Sequence, residues 1–197
     1  MVGNFYLSLW FPTFTAREML PRTLTVLRQF PFSKTLPGVG YMGVRAVSWS
    51  EPLVYSQSFD ERTDPERVLH LAGEFLHEDN AYEFETAWDL WVPREQYDTW
   101  ATEPRPVLFS VHGTEFEEGT YREDGHIQVD FGPDTPFLYE DLDLTEIGQQ
   151  RVQANLHKLV SFTAAVEKNC GISGRVLWSE SEENLAQKLI ERLQKVQ

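Results

Sequence analysis

The chain opens on an alternation. Phe5, Leu7, Leu9 and Phe11 are apolar, with Asn4, Tyr6, Ser8 and Trp10 between them, which predicts a strand that Pro12 ends. Thr15 and Glu18 have capping-box spacing, and Met19, Leu20, Leu24 and Leu27 form the stripe of a helix that Pro21 is expected to kink or delay. Segments 41–49 and 53–59 read as strands joined through Ser50-Glu51-Pro52. Asp64 as cap and Pro65 at the first helical position open a second helix, with Val68, Leu71, Ala72, Phe75 and Leu76 inward. Segment 82–92 alternates again: Tyr82, Phe84, Trp88, Leu90 and Val92 share one side, and Glu83, Glu85, Asp89 and Trp91 share the other.

The order β-α-β-β-α-β over residues 1–92 predicts a ferredoxin-like sandwich, two helices on one face of an antiparallel sheet. Pro93, Pro104 and Pro106 mark 93–106 as a linker. Beyond it, Val107, Phe109 and Val111 read as a strand, and Asp124-Gly125 as a hairpin turn into Ile127, Val129 and Phe131. A helix is expected from about residue 145 to 170, with Asp143 and Glu146 as its cap and reciprocal partner. A strand at 175–178 and a last helix through Leu185, Ala186, Leu189, Ile190 and Leu193 complete the chain. The expected class is therefore α+β. Residues 107–197 form a β-β-α-β-α unit, either a second, permuted ferredoxin-like unit sharing the core or part of one compact domain. Leu9, Leu27, Phe75, Leu76, Phe84, Trp88, Val129, Leu156, Leu159 and Leu189 are the expected core.

Composition adds two constraints. A hydrophobic fraction of 41% in 197 residues is ample for a packed interior. The net charge of −14 is concentrated: eleven acids and one Arg lie between Glu115 and Glu146, a local charge of −10. A surface made by Glu115, Glu117, Glu118, Glu123, Asp124, Asp134, Glu140 and Asp141 would repel a phosphate backbone or an anionic membrane, and would steer a basic protein partner. No apolar run approaches the ~18 residues of a membrane span. The N-terminus lacks a basic region of the kind that opens a secretory signal, and Cys170 is the single cysteine, so a reducing compartment, the cytoplasm, is the expectation.

Motifs that would carry chemistry are incomplete. His70, Glu74, His77 and Glu78 fall on one helical face and contain one Glu-x-x-His unit, but a dimetal site needs two. The acids of 130–143 lack the glycine and fixed spacing of a calcium loop. Nothing places a histidine beside Cys170, and Gly171-Ile172-Ser173-Gly174 lacks nucleophile-elbow spacing. No catalytic residue, metal or cofactor is assigned.

The parity of the strands points elsewhere. If the apolar positions face the helices, then Tyr6, Trp10, Glu83, Glu85, Asp89 and Trp91 lie together on the helix-free face, joined by Arg45 and Trp49. Aromatic area of that extent calls for a cover: the second half of the chain, a second copy in a homodimer, or a ligand gripped by the tryptophans and paired with the acids. Three functions stay open on this evidence. One is a non-enzymatic binding protein, immunity- or adaptor-like, with a basic protein partner. Another is a small-molecule-binding protein or enzyme using Glu83, Glu85 or Asp89 as acid and base. The last is a structural subunit that dimerises through the aromatic face.

Overall fold

The computed structural model describes residues 3–94, 99–139, 144–180 and 187–190. They build a mixed α+β fold on one seven-stranded antiparallel sheet. Its strands are β1 (Asn4–Trp10), β2 (Val39–Ala46), β3 (Leu53–Thr63), β4 (Asn80–Arg94), β5 (Thr99–His112), β6 (Ile127–Pro133) and β7 (Gly174–Ser179), arranged in the order β3-β2-β4-β5-β6-β1-β7. Helices α1 (Ala16–Leu27), α2 (Pro65–Ala72) and α5 (Glu146–Asn169) bring their apolar stripes to one face of this sheet; the short α4 (Thr135–Leu138) adds Phe137 and Leu138 to the same core, and the short α3 (Tyr121–Asp124) buries none of its residues.

Local signals do what their chemistry requires. The Thr15–Glu18 capping box starts α1, with Pro21 inside the helix. The Asp64 carboxylate accepts the Glu66 N–H at 2.9 Å and starts α2. Thr145, rather than Asp143, caps α5 by accepting the Gly148 N–H at 3.2 Å; Asp143 itself lies outside the described residues. Leu9, Leu27, Phe84, Trp88, Val129, Leu156, Leu159 and Leu189 are buried. Phe75 is only half-buried and Leu76 is exposed, because α2 stops at Ala72 and a 3-10 turn over Gly73–Phe75 rotates them out of the stripe.

The ferredoxin-like expectation does not survive the strand order. β1 pairs with β6 and β7, far from β2, β3 and β4. Alternation tells which face a side chain occupies, but the in-plane neighbours of a strand leave no such mark. The linker expectation also yields: residues 93–94 and 99–106 belong to the long β4–β5 ladder, with Pro93 opposite Trp100, Pro104 opposite Asp89 and Pro106 opposite Ala87. β6 reaches β5 only at residues 108–111, so Pro104 and Pro106 sit where one side of the strand is unpaired and a missing N–H is tolerated. One continuous sheet thus runs through both halves of the chain. The expected tight turn at Asp124-Gly125 is instead the end of α3, with Gly125 at φ 92°.

Candidate functional site: the open face of the sheet

Register fixes the rows of side chains on the face away from α1, α2 and α5. One row runs Ser58, Tyr41, Glu85, Leu108, Asp130, Tyr6 and Trp178 across the whole sheet. The next runs Ser56, Gly43, Glu83, Ser110, Gln128, Ser8 and Val176. Large rings and carboxylates therefore stand beside a row of mostly small residues. The Tyr41 hydroxyl end lies over Gly43, where a Cβ would come within 2.7 Å of it.

Charged groups on this face are held, not free. The Tyr6 ring stacks on Trp178 at 4.4 Å, its hydroxyl donates to Glu180 at 3.1 Å, and burial followed by the Asp130 charge pushes its pKa up to about 12. Trp178 donates its indole N–H to Ser8 at 3.2 Å. Asp130 accepts the Gly132 N–H at 2.7 Å and the Asn4 amide at 3.2 Å, yet burial outweighs both and raises its pKa. Burial also raises the Glu83 pKa, with the Arg45 charge opposing it. Arg62 pairs with Glu85 at 3.5 Å and donates to the Gly38 carbonyl at 3.3 Å. Two half-buried acids with raised pKa values on one open surface mark it as the place where charge is least comfortable.

The connection from β5 to β6 roofs one end of the face. Trp10 donates its indole N–H to the Tyr121 carbonyl of α3 at 2.9 Å. Trp49 stands edge-on to His112 and Phe116, and the Arg45 guanidinium lies over its ring at 5.8 Å. Here the backbone is strained: Val47 and the adjacent Glu117 and Glu118 adopt positive φ, and the Val47 carbonyl accepts the Glu117 N–H at 2.7 Å. Beneath the roof His112 and His126 are buried and neutral-favouring. His112 is held against the Gly125 carbonyl at 2.7 Å, and burial lowers its pKa. His126 accepts the Phe11 N–H at 3.0 Å between the rings of Phe14 and Tyr121, and burial with the neighbouring His112 lowers it to about 4.

Two expected members leave the group. Asp89 accepts the Ser33 hydroxyl at 2.6 Å and the Lys34 N–H at 3.0 Å, and these bonds hold its pKa down in spite of burial. Trp91 lies under the Arg151 guanidinium of α5 at 3.7 Å. Both fall where β4 outruns β2, and there the chain after α1 and helix α5 take over the strand edge. Asn155 completes that edge, accepting the Trp91 N–H at 2.8 Å and donating to the Trp91 carbonyl at 2.9 Å. The three-acid arrangement of Glu83, Glu85 and Asp89 is therefore not assembled.

The acidic stretch is also divided. Glu115, Glu117, Glu118 and Glu123 are exposed, Glu117 accepting the Trp49 N–H at 3.1 Å and Asp124 the Thr120 hydroxyl at 3.0 Å. Asp134 is buried and accepts the Ser179 hydroxyl at 3.1 Å, which removes it from any partner surface. Glu140 and Asp141 lie outside the described residues. Tyr41, Asp130 and Trp178 were missed as members of the open face. Asp130 was readable, since it alternates with Val129 and Phe131; the other two needed the strand order.

Among the described residues no cluster of His, Cys, Asp and Glu could hold a metal ion. The helical face proposed around His70 is broken at Ala72, and His77 turns to Asp79. The Cys170 thiol is buried and pushed up to about 11. No described helix is long and apolar enough to cross a membrane. No protein-family model, curated protein or solved structure matches this chain.

Proposed function

We propose that this is a non-catalytic binding protein that receives a basic protein on the open face of its sheet. The observation that carries this reading is the charge state of that face. Glu83, Asp130 and Glu180 stand among Tyr6, Tyr41 and Trp178, and the cations present are engaged: Arg62 with Glu85, and Arg45 with the Glu51 carbonyl and the Trp49 ring, its charge offsetting Glu83 only in part. An arriving Arg or Lys would satisfy half-buried carboxylates and lie on aromatic rings at the same time. The exposed acids from Glu115 to Glu123 would act at longer range, raising the encounter rate. The buried thiol of Cys170 suits a reducing compartment such as the cytoplasm.

Titration of isotope-labelled protein with an arginine- and glycine-containing peptide tests the reading. Shifts are expected at Tyr6, Glu83, Asp130 and Trp178, weakening steeply with added salt. Shifts confined to residues 115–124, or binding indifferent to salt, would overturn it.

A further inference from the structure

Among the described residues the sheet ends at β3, and this edge is long and bordered by a cavity. β3 runs eleven residues and, among the described residues, pairs only with β2, so one row of its backbone groups has no described strand beside it. Its register with β2 is irregular at both ends, between Val39 and Tyr41 and between Val44 and Arg45, and regular over Tyr55–Ser58. Residues 54–59 carry no charge; Asp60, Glu61 and Arg62 follow at once. Bulges and charges are the devices by which edges are closed to pairing, and both are absent from the middle of this one.

Beside the second half of β3, between it and α2, lies a cavity of about 610 Å³, lined from the strand by Gln57, Phe59 and Thr63. Phe59, Val68 and Leu71 supply its apolar lining, and Glu66, Arg67 and Glu74 line it with charge. Tyr55, Gln57 and Phe59 are half-buried on this side while Ser56 and Ser58 are exposed on the other, so a strand laid along β3 would send alternate side chains into the cavity. We propose that β3 is a docking edge, at which an extended neutral-to-basic segment of a partner protein adds as an eighth strand. Backbone hydrogen bonds would hold the segment, and the cavity would select its alternate side chains. Charge decides the occupant: Asp60, Glu61, Glu66 and Glu74 outnumber Arg62 and Arg67 about the edge and the cavity, and Arg62 is drawn to Glu85, so a basic segment is attracted. A second copy of a chain carrying −14 is repelled. Ser56 and Ser58 share the rows of the open face, but the backbone edge and the cavity beside it lie two strands away from Glu83.

The peptide Lys-Val-Lys-Val-Thr-Val-Lys, and the same peptide N-methylated at every residue, serve as probes. Expected are slowed hydrogen exchange at the amides of residues 54–59 and a ~10-fold or greater loss of affinity on N-methylation. Ser58→Lys, which puts a charge on the edge, should weaken binding in the same direction. Glu83→Gln should leave the protection of residues 54–59 unchanged, so failure here and failure of the open-face reading are told apart. No protection of residues 54–59 by the parent peptide, equal protection there by the N-methylated peptide, or dimerisation through β3 would each overturn the proposal.

Discussion

The two faces of the sheet are made by the same strands and obey opposite rules. On the helix-covered face, Phe5, Leu7, Leu9, Phe84, Trp88, Phe109, Val129 and Phe131 are all but inaccessible. The rings contact one another at centroid distances such as 5.0 Å for Trp88 and Phe131, or 5.2 Å for Phe30 and Phe109. On the open face, one residue along each strand, aromatic and acidic groups alternate with Gly43, Ser110 and Ser8. The first face holds the fold by buried area, which is non-directional and tolerant of the residue type. The second carries half-buried carboxylates, Glu83 and Asp130, whose ionised forms burial disfavours.

Truncation should expose this asymmetry most strongly. Trp88→Ala removes a ring that touches Phe30, Phe131 and Phe137 and should cost about 3–5 kcal/mol in a denaturant titration. Gln128→Ala, on the open face beside Ser8 and Ser110, should stay within about 0.5 kcal/mol. Trp88→Phe should recover much of the loss, because the buried indole N–H has no hydrogen-bond partner among the described residues. An equal cost for Trp88→Ala and Gln128→Ala would erase the distinction between the faces.

The boundary between the faces should break next. Asn155 is 1% exposed and ties α5 to both backbone groups of Trp91, and to the Pro136 carbonyl at 2.9 Å. Asn155→Ala leaves those part-buried groups unpaired, at about 1–3 kcal/mol. Hydrogen exchange should accelerate first at the outer half of β4, before the central ladder of β4 with β2. Acceleration spread evenly over the sheet would show that Asn155 supports the whole core rather than this edge.

What the sequence revealed follows the same division. Side-chain parity placed Phe84 and Trp88 inside and Glu83 and Glu85 outside, because a period of two is written directly in residue type. Caps at Thr15 and Asp64 were legible for the same reason: the chemistry is local. The place of β1 between β6 and β7 was not, because a backbone ladder is indifferent to which apolar strand supplies it. The departure of Asp89 and Trp91 was hidden too. Their parity was correct, but β4 outruns its neighbour, and nothing near residue 89 announces that Ser33 and Asn155 will meet it.

The smallest effect gives the sharpest test of the open face. Glu83 has a pKa raised chiefly by burial, with Arg45 only partly compensating. The folded state therefore binds this proton more tightly than the unfolded chain does, and ionised Glu83 destabilises the fold at neutral pH. That penalty fades as pH falls through the raised folded value and is gone below the unfolded carboxylate value. Glu83→Gln should accordingly raise stability at pH 7 by about 0.5 kcal/mol or less, and the advantage should vanish toward pH 4. His126, whose pKa is lowered to about 4, costs stability as pH falls from the ordinary histidine value of 6.5 toward 4, because the unfolded chain takes the proton first. It does so in both proteins, and the difference between them isolates Glu83. The same variant should weaken capture of the arginine peptide. A stability gain coupled to a binding loss is what separates a carboxylate kept for a partner from one that serves the fold. A variant that loses both would place Glu83, through Arg45, among the groups that hold the sheet together.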